Sequence, residues 1–268
     1  MKRLALAAAL SLSLLGNQAQ AGAILNVAEA ANYTLAYSLA IPDTAFFNFT
    51  GVPYSVDNHA SIADGSFSRI AYYLELQTAG GNLMYAYASM DAFTGDAGKI
   101  GVPTTQSGAF FQQNVTNMNV FSNVAGVTSG TGIATGNIEF WHTNYGAENS
   151  NAVPGASNGS YDFGDRADGT SNYGSMQIHN FGLQQSILDY NNWGGGTGNP
   201  GDLGLGSNVN GEHPDWTFAW NAGSYTVKNL EVLVLKNNAV PEPGSMALLG
   251  LGLLGLAATR RKAAKQAK

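Results

Sequence analysis

The chain has 268 residues, with 34 Gly, no Cys and a formal net charge of −6, and its length is enough for one large domain with a buried core. The absence of cysteine excludes disulfides, thiol catalysis and Cys-ligated zinc or iron–sulfur clusters. Seven of the 12 basic residues lie at the two ends (Lys2, Arg3, Arg260, Arg261, Lys262, Lys265, Lys268), so that residues 22–240 set 17 acidic residues against five basic ones. Such a surface repels phosphate backbones, and no nucleic-acid partner is expected.

At the amino end, Lys2 and Arg3 precede an apolar run, Leu4–Leu15, which is followed by Ala19-Gln20-Ala21. This is the order of a secretory signal peptide: a basic start, a short greasy segment too brief to span a bilayer, and a small-residue cleavage site. Residues 1–21 are predicted to be removed by signal peptidase after Ala21, leaving Gly22 as the new first residue.

Strand patterns fill the next two hundred residues. In Ser68–Gln77 (SRIAYYLELQ), Ile70, Tyr72, Leu74 and Leu76 alternate with Arg69, Ala71, Tyr73 and Glu75, which predicts a strand with one face buried and the other in water. Thr78–Asn82 contains two glycines for a turn, and Leu83–Met90 returns as the second arm of a hairpin. Further strands are predicted over Asn32–Leu39, Ala109–Phe121, Ala134–Thr143, Ser175–Phe181, Gln184–Asn191, Asp215–Trp220 and Tyr225–Leu235. The last has apolar residues on both faces and belongs in a sheet centre. Short strands, Gly/Asn/Asp/Ser loops and no sustained helical period predict an all-β fold, an antiparallel jelly-roll-like β-sandwich over residues 22–238. A division into two thin sandwiches near Asn144–Ser160 stays open.

Motifs for chemistry are sparse. Asp162, Asp165 and Asp168, with Gly169 behind them, suit an oxygen-ligated calcium ion; their spacing is not that of an alternating calcium loop, and a solvated acidic turn screened by Arg166 is the competing reading. No other cofactor is expected. His59, His142, His179 and His213 form no H-E-x-x-H pair and are read as surface or half-buried histidines. G-x-S-x-G is absent. A glycosidase needs two carboxyls about 5–10 Å apart, and Glu75, Glu139, Glu148, Glu212 and Glu231 are the glutamates from which such a pair could come; no residue is assigned as catalytic.

Sugar binding needs only an aromatic platform and polar neighbours. Within Ile138–Thr143, Ile138, Phe140 and His142 share one face, which puts Trp141 beside Glu139 on the other as a candidate glycan contact. Trp216, Phe218 and Trp220 align and are read as core, while Trp193 fits either role. The stretch Tyr161–Asn180, with Asn191-Asn192-Trp193 and Pro214–Ala219, resembles an ectodomain segment of secreted bacterial proteins and implies no catalytic residue.

The chain closes with Val240-Pro241-Glu242-Pro243, an uncharged run Met246–Ala258, and Arg260-Arg261-Lys262. The prolines remove amide donors and favour extended backbone, so this turn is accessible to a protease. A helix over the apolar run, about residues 245–259, rises about 20 Å against a hydrocarbon core of ~30 Å, and the basic cluster holds its end in the cytoplasm. These parts, in this order, resemble the PEP-CTERM sorting signal of Gram-negative bacteria, a tail also labelled ice-binding protein C-terminal domain, which is no sign of ice binding.

The resemblance covers about the last 25 residues, within a tail placed at residues 239–268. It implies recognition by an exosortase at Pro241, Glu242, Pro243, Arg260 and Arg261, transient membrane anchoring, and delivery to the cell surface or extracellular polysaccharide matrix. A permanent short anchor is the alternative. The expected role is that of a noncatalytic protein that binds exopolysaccharide or surface glycans, or serves structurally in the envelope or biofilm; the alternative is an extracellular hydrolase.

Overall fold

The computed structural model describes residues 22–43, 51–103, 111–141, 175–183, 185–191, 201–206 and 221–237. The chain divides into two units, Met1–Lys236 and Asn237–Lys268. Within the first, the described residues form two antiparallel sheets. Seven strands make the larger: β1 (Thr34–Ala40), β2 (Val56–Asp57), β3 (Phe67–Thr78), β4 (Met84–Asp91), β6 (Met118–Ser122), β7 (Gly130–Ile133) and β12 (Tyr225–Lys236), in the order β2-β1-β12-β3-β4-β6-β7. The smaller contains β5 (Phe111–Val115), β8 (Gly136–Trp141), β9 (Ser175–Asn180), β10 (Gln185–Asn191) and β11 (Asp202–Leu205), in the order β11-β10-β9-β8-β5. The fold is all-β, and β8 to β11 run as a meander.

Period-two alternation explains the packing. Ile70, Tyr72 and Leu74 of β3 and Leu230, Val232 and Val234 of β12 face Ile138 and Phe140 of β8, Ile178 of β9 and Leu188 of β10 in one buried core. Tyr72 meets Phe140 edge to face at a centroid separation of 6.3 Å, and its buried hydroxyl donates to Ile100 O at 2.9 Å, which removes the cost of an unpaired polar group in the core. As its two-sided apolar pattern predicts, β12 is central, with β1 on one side and β3 on the other.

Two expectations are corrected. The second face of β3 does not meet water: Ala71 and Tyr73, with Tyr87 and Leu233, are covered by the amino-terminal segment through Ala23, Val27, Ala30 and Tyr33. That cover consists of α1 (Gly22–Asn26) and a 3-10 turn over Ala28–Asn32. Ala109–Phe121, expected to be one strand, is two. β5 pairs with β8 in the smaller sheet and β6 pairs with β4 and β7 in the larger. The chain changes sheet at Asn117, whose φ of 55° is a left-handed conformation that Asn tolerates better than most residues.

The strands β2, β7 and β11, of two, four and four residues, are too short to show a period. Asp215–Trp220, the leader and the tail lie outside the described residues. Among the described residues no helix is long and apolar enough to cross a membrane.

Candidate functional site

Where α1 crosses the outer face of the larger sheet it leaves a groove of about 590 Å3. Glu75 of β3 and Glu231 of β12 are diagonal neighbours there, because Glu75 pairs with Asn229 and Glu231 with Tyr73. Both are nearly closed to solvent, at 8% and 4% exposure. Glu231 accepts the amides of Gly22 (2.6 Å) and Ala23 (2.9 Å). Glu75 accepts the Tyr73 hydroxyl (2.8 Å) and the Asn229 amide (2.7 Å).

Burial is the main force that raises the Glu231 pKa above the usual carboxylate value, with the Glu75 charge adding to it, while the two backbone amides pull the other way. Tyr73 is pushed up as well, first by burial and then by its bond to Glu75. The remaining polar lining comes from Asn26, Ser38, Ser55, Gln77 and Asn229, and the apolar lining includes Leu25, Leu35 and Leu83. Chemically this is a surface for hydroxyls and C–H groups together.

A second polar cluster lies on the face of the smaller sheet turned away from the core. Glu139, Gln177, Asp189 and Gly204 hold successive register positions on β8 to β11, and Glu139, Gln177 and Asp189 are buried. Glu139 and Asp189 are thus two strands apart, roughly 9.5 Å by strand spacing. Gln177, between them, has neither amide atom hydrogen-bonded among the described residues. Gly204 is required by close approach: a Cβ there would run into the Asp189 carboxylate.

The next row of this face contains Asn137, His179 and Ser186. Asn137 Oδ1 lies 3.1 Å from His179 Nδ1, which suits the tautomer protonated at Nδ1. His179 is fully buried, and burial lowers its pKa to about 3. It is a neutral interior group, not the surface or half-buried histidine expected. His59 is half-buried, paired with Asp57 and stacked on Tyr37.

The residues singled out from the sequence fare differently. Glu139 does lie on the face of β8 opposite Ile138 and Phe140, yet it is 0% exposed, which corrects its reading as a surface contact. Both faces of β8 are interior. Trp141 is the last residue of β8, paired with Ser175. Asp162, Asp165, Asp168, His142, His213, Trp193, Glu148 and Glu212 lie outside the described residues, as do Pro241, Glu242, Pro243, Arg260 and Arg261. Among the described residues no group of three or more His, Asp or Glu is placed to hold a metal ion.

The convergence of Glu75 and Glu231 on Gly22 had one faint signal in the sequence. Each acid interrupts an otherwise apolar strand next to a tyrosine or leucine.

Comparison with known proteins bears on the tail. Residues 239–262 match the PEP-CTERM protein-sorting motif. The chain carries an exosortase sorting signal. The motif implies processing by an exosortase and export to the cell surface, in line with the resemblance read from Pro241-Glu242-Pro243 and Arg260-Arg261. No curated protein and no solved structure matches the chain.

Proposed function

We propose that the chain is an exported, noncatalytic surface protein whose jelly-roll-like sandwich binds polysaccharide in the envelope or biofilm matrix, after its leader has taken it across the membrane and its tail has presented it to an exosortase. The PEP-CTERM motif at residues 239–262 is the observation that carries this reading. The groove beside α1 supports the binding role, since its amides and leucines complement the hydroxyls and C–H faces of a neutral sugar. Its two carboxylates are hydrogen-bonded to the protein itself, which suits a structural seat better than a general acid and base. A calcium ion at Asp162, Asp165 and Asp168 remains part of the proposal, read by a rise in melting midpoint at millimolar calcium.

Producing the full chain in a bacterium with and without its exosortase, and weighing the mature form, tests the sorting step. The tail is lost only where the enzyme is present. Replacing Pro241, Glu242 and Pro243 together with alanine leaves the tail in place, and cleavage of that variant at an unchanged rate would end the exosortase reading. Glycan-array binding of the exported protein reads the second half of the proposal.

One observation favours the hydrolase alternative: Glu139 and Asp189 share one face of the smaller sheet two strands apart, a backbone spacing compatible with an inverting carboxyl pair. Both are closed to solvent in this structure, which weighs toward binding. If the alternative holds, Glu139→Gln and Asp189→Asn each lower turnover of a glycoside substrate at least ~100-fold while leaving glycan affinity intact.

A further inference from the structure

We propose that Glu231 and Glu75 form a binding site for the α-ammonium group that appears at Gly22 when the leader is cut after Ala21, so that maturation pins the new amino terminus onto the sheet. The inference rests on the signal-peptide reading of residues 1–21, and its geometry is independent of that reading.

The seat is already shaped for a cation. Glu231 Oε1 is 2.6 Å from the Gly22 nitrogen, and Glu231 Oε2 holds the next amide. Glu75 closes the other side: a Cβ on Gly22 would come within 2.7 Å of Glu75 Oε2. A side chain at position 22 would therefore have to displace that carboxylate, whereas glycine leaves both acids free to approach the nitrogen.

Two nearly buried carboxylates side by side need a positive charge, and the described residues supply none. The ion pairs found among them join Arg69 to Asp91, Lys99 to Asp96, Lys228 to Asp43 and His59 to Asp57, and none reaches Glu75 or Glu231. In the uncut chain the Gly22 nitrogen is a neutral amide with one proton to donate. After cleavage it is a cation with three, for which Glu231 is already in charge-assisted hydrogen-bond reach and Glu75 is the second acid beside Gly22.

The consequence falls on the fold. Gly22 begins α1, and α1 with the turn behind it covers Ala71, Tyr73, Tyr87 and Leu233. An amino terminus pinned by two carboxylates holds that cover down from its free end, where fraying would otherwise start. The leader-bearing chain has a looser cover over the same apolar face. Folding is thereby completed only after transport.

Amino-terminal sequencing of the exported protein reads the cleavage step by itself: a first residue other than Gly22 removes the proposal, and an uncut Met1 removes the leader reading as well. The seat is read by melting residues 22–268 released from a fusion with Gly22 first, against the same chain with Ala21 retained, which turns the Gly22 nitrogen back into an amide. The Gly22-first protein melts roughly 5 °C higher at pH 6.5. That advantage disappears in Glu231→Gln and shrinks in Glu75→Gln, the second variant serving if the first folds poorly.

The groups facing the amine are Glu231 from β12 and Glu75 from β3, with the Tyr73 hydroxyl behind Glu75 and the Tyr85 hydroxyl of β4 near Asn26. The two acids raise the amine's folded pKa above the ordinary value near ~8. The difference between the two proteins is therefore whole between the titration of Glu231 and that pH, fading as pH rises through the amine's folded value and again in acid once Glu231 takes up a proton. Equal midpoints for the two starts at pH 6.5, or a difference that survives Glu231→Gln unchanged, would overturn the seat while leaving the leader reading intact.

Discussion

Glu29→Ala lowers the thermal midpoint of the sandwich by roughly 6–12 °C, from a destabilisation of about 3 kcal/mol. Glu29 lies in the 3-10 turn that covers the outer face of the larger sheet. Its Oε1 accepts the hydroxyls of Tyr33 at 2.9 Å, Ser89 at 2.5 Å and Tyr87 at 3.4 Å, and its Oε2 accepts the Asn119 amide at 2.8 Å.

Ser89 and Tyr87 are fully buried, so removal of the carboxylate takes away the acceptor that their hydroxyls share, at a cost of about 1–3 kcal/mol each. Water can enter the space of a half-buried side chain, which keeps the total below the sum. Arg69 adds to the network without touching Glu29: its Nε donates to the Tyr33 hydroxyl at 3.1 Å and its Nη2 to Ser89 Oγ at 2.8 Å. Glu29→Gln keeps one acceptor oxygen and loses about a third as much. Circular-dichroism melts give the shift, and amide exchange at Ala71 and Tyr73 should quicken with it. A change below about 2 °C for the alanine variant would mean that the turn is held by apolar packing alone.

The second large effect is in acid. His179 has a folded pKa of about 3 because it is wholly buried, against an unfolded value of about 6.5. Above pH ~6.5 both states carry the neutral ring, and its contribution to stability is intact. As pH falls from there toward 3 the unfolded chain takes up a proton that the folded chain refuses, so stability drops by about 1.4 kcal/mol per pH unit, on the order of 5 kcal/mol over the window.

In His179→Gln, which can keep a donor toward Asn137, the urea-unfolding free energy falls with acid by one proton's slope less between pH 6 and 4. The slope is the readout, since the variant also starts from a lower level at pH 7. Parallel slopes in the two proteins would show that His179 gains access to water without unfolding. Glu231 works in the opposite sense: its raised pKa contributes stability at low pH that fades as pH rises through the folded value.

The strand pattern of β3 and β12 was plain from alternation. Ile70, Tyr72 and Leu74 against Leu230, Val232 and Val234 repeat every second residue, and that period is a local property of the backbone. The turn at Asn117 was not plain: the apolar positions change phase there, from Val115 to Met118 and Val120, but no glycine or proline marks the break. Burial of the second face of β3 was equally hidden: what covers Tyr73 is α1, from far along the chain. Arg69 and Glu75 looked like a solvent face because charges usually are one, and here each is absorbed into a hydrogen-bond network.

For the sites the contrast is the same. Pro241-Glu242-Pro243, the apolar run and Arg260-Arg261 act as a linear signal, so their meaning is complete in the order of residues. The seat at Gly22 joins positions 209 apart in the chain, and the buried row of Glu139, Gln177 and Asp189 exists only through the register of β8, β9 and β10.

The sequence by itself determined the all-β class, the central place of β12 and the sorting tail, since each depends on neighbours within about a dozen residues. Only the tertiary structure decided which carboxylates meet, which histidine is dry and what covers the larger sheet. Those outcomes depend on strand register and on chain closure over long separations, and no local pattern encodes either.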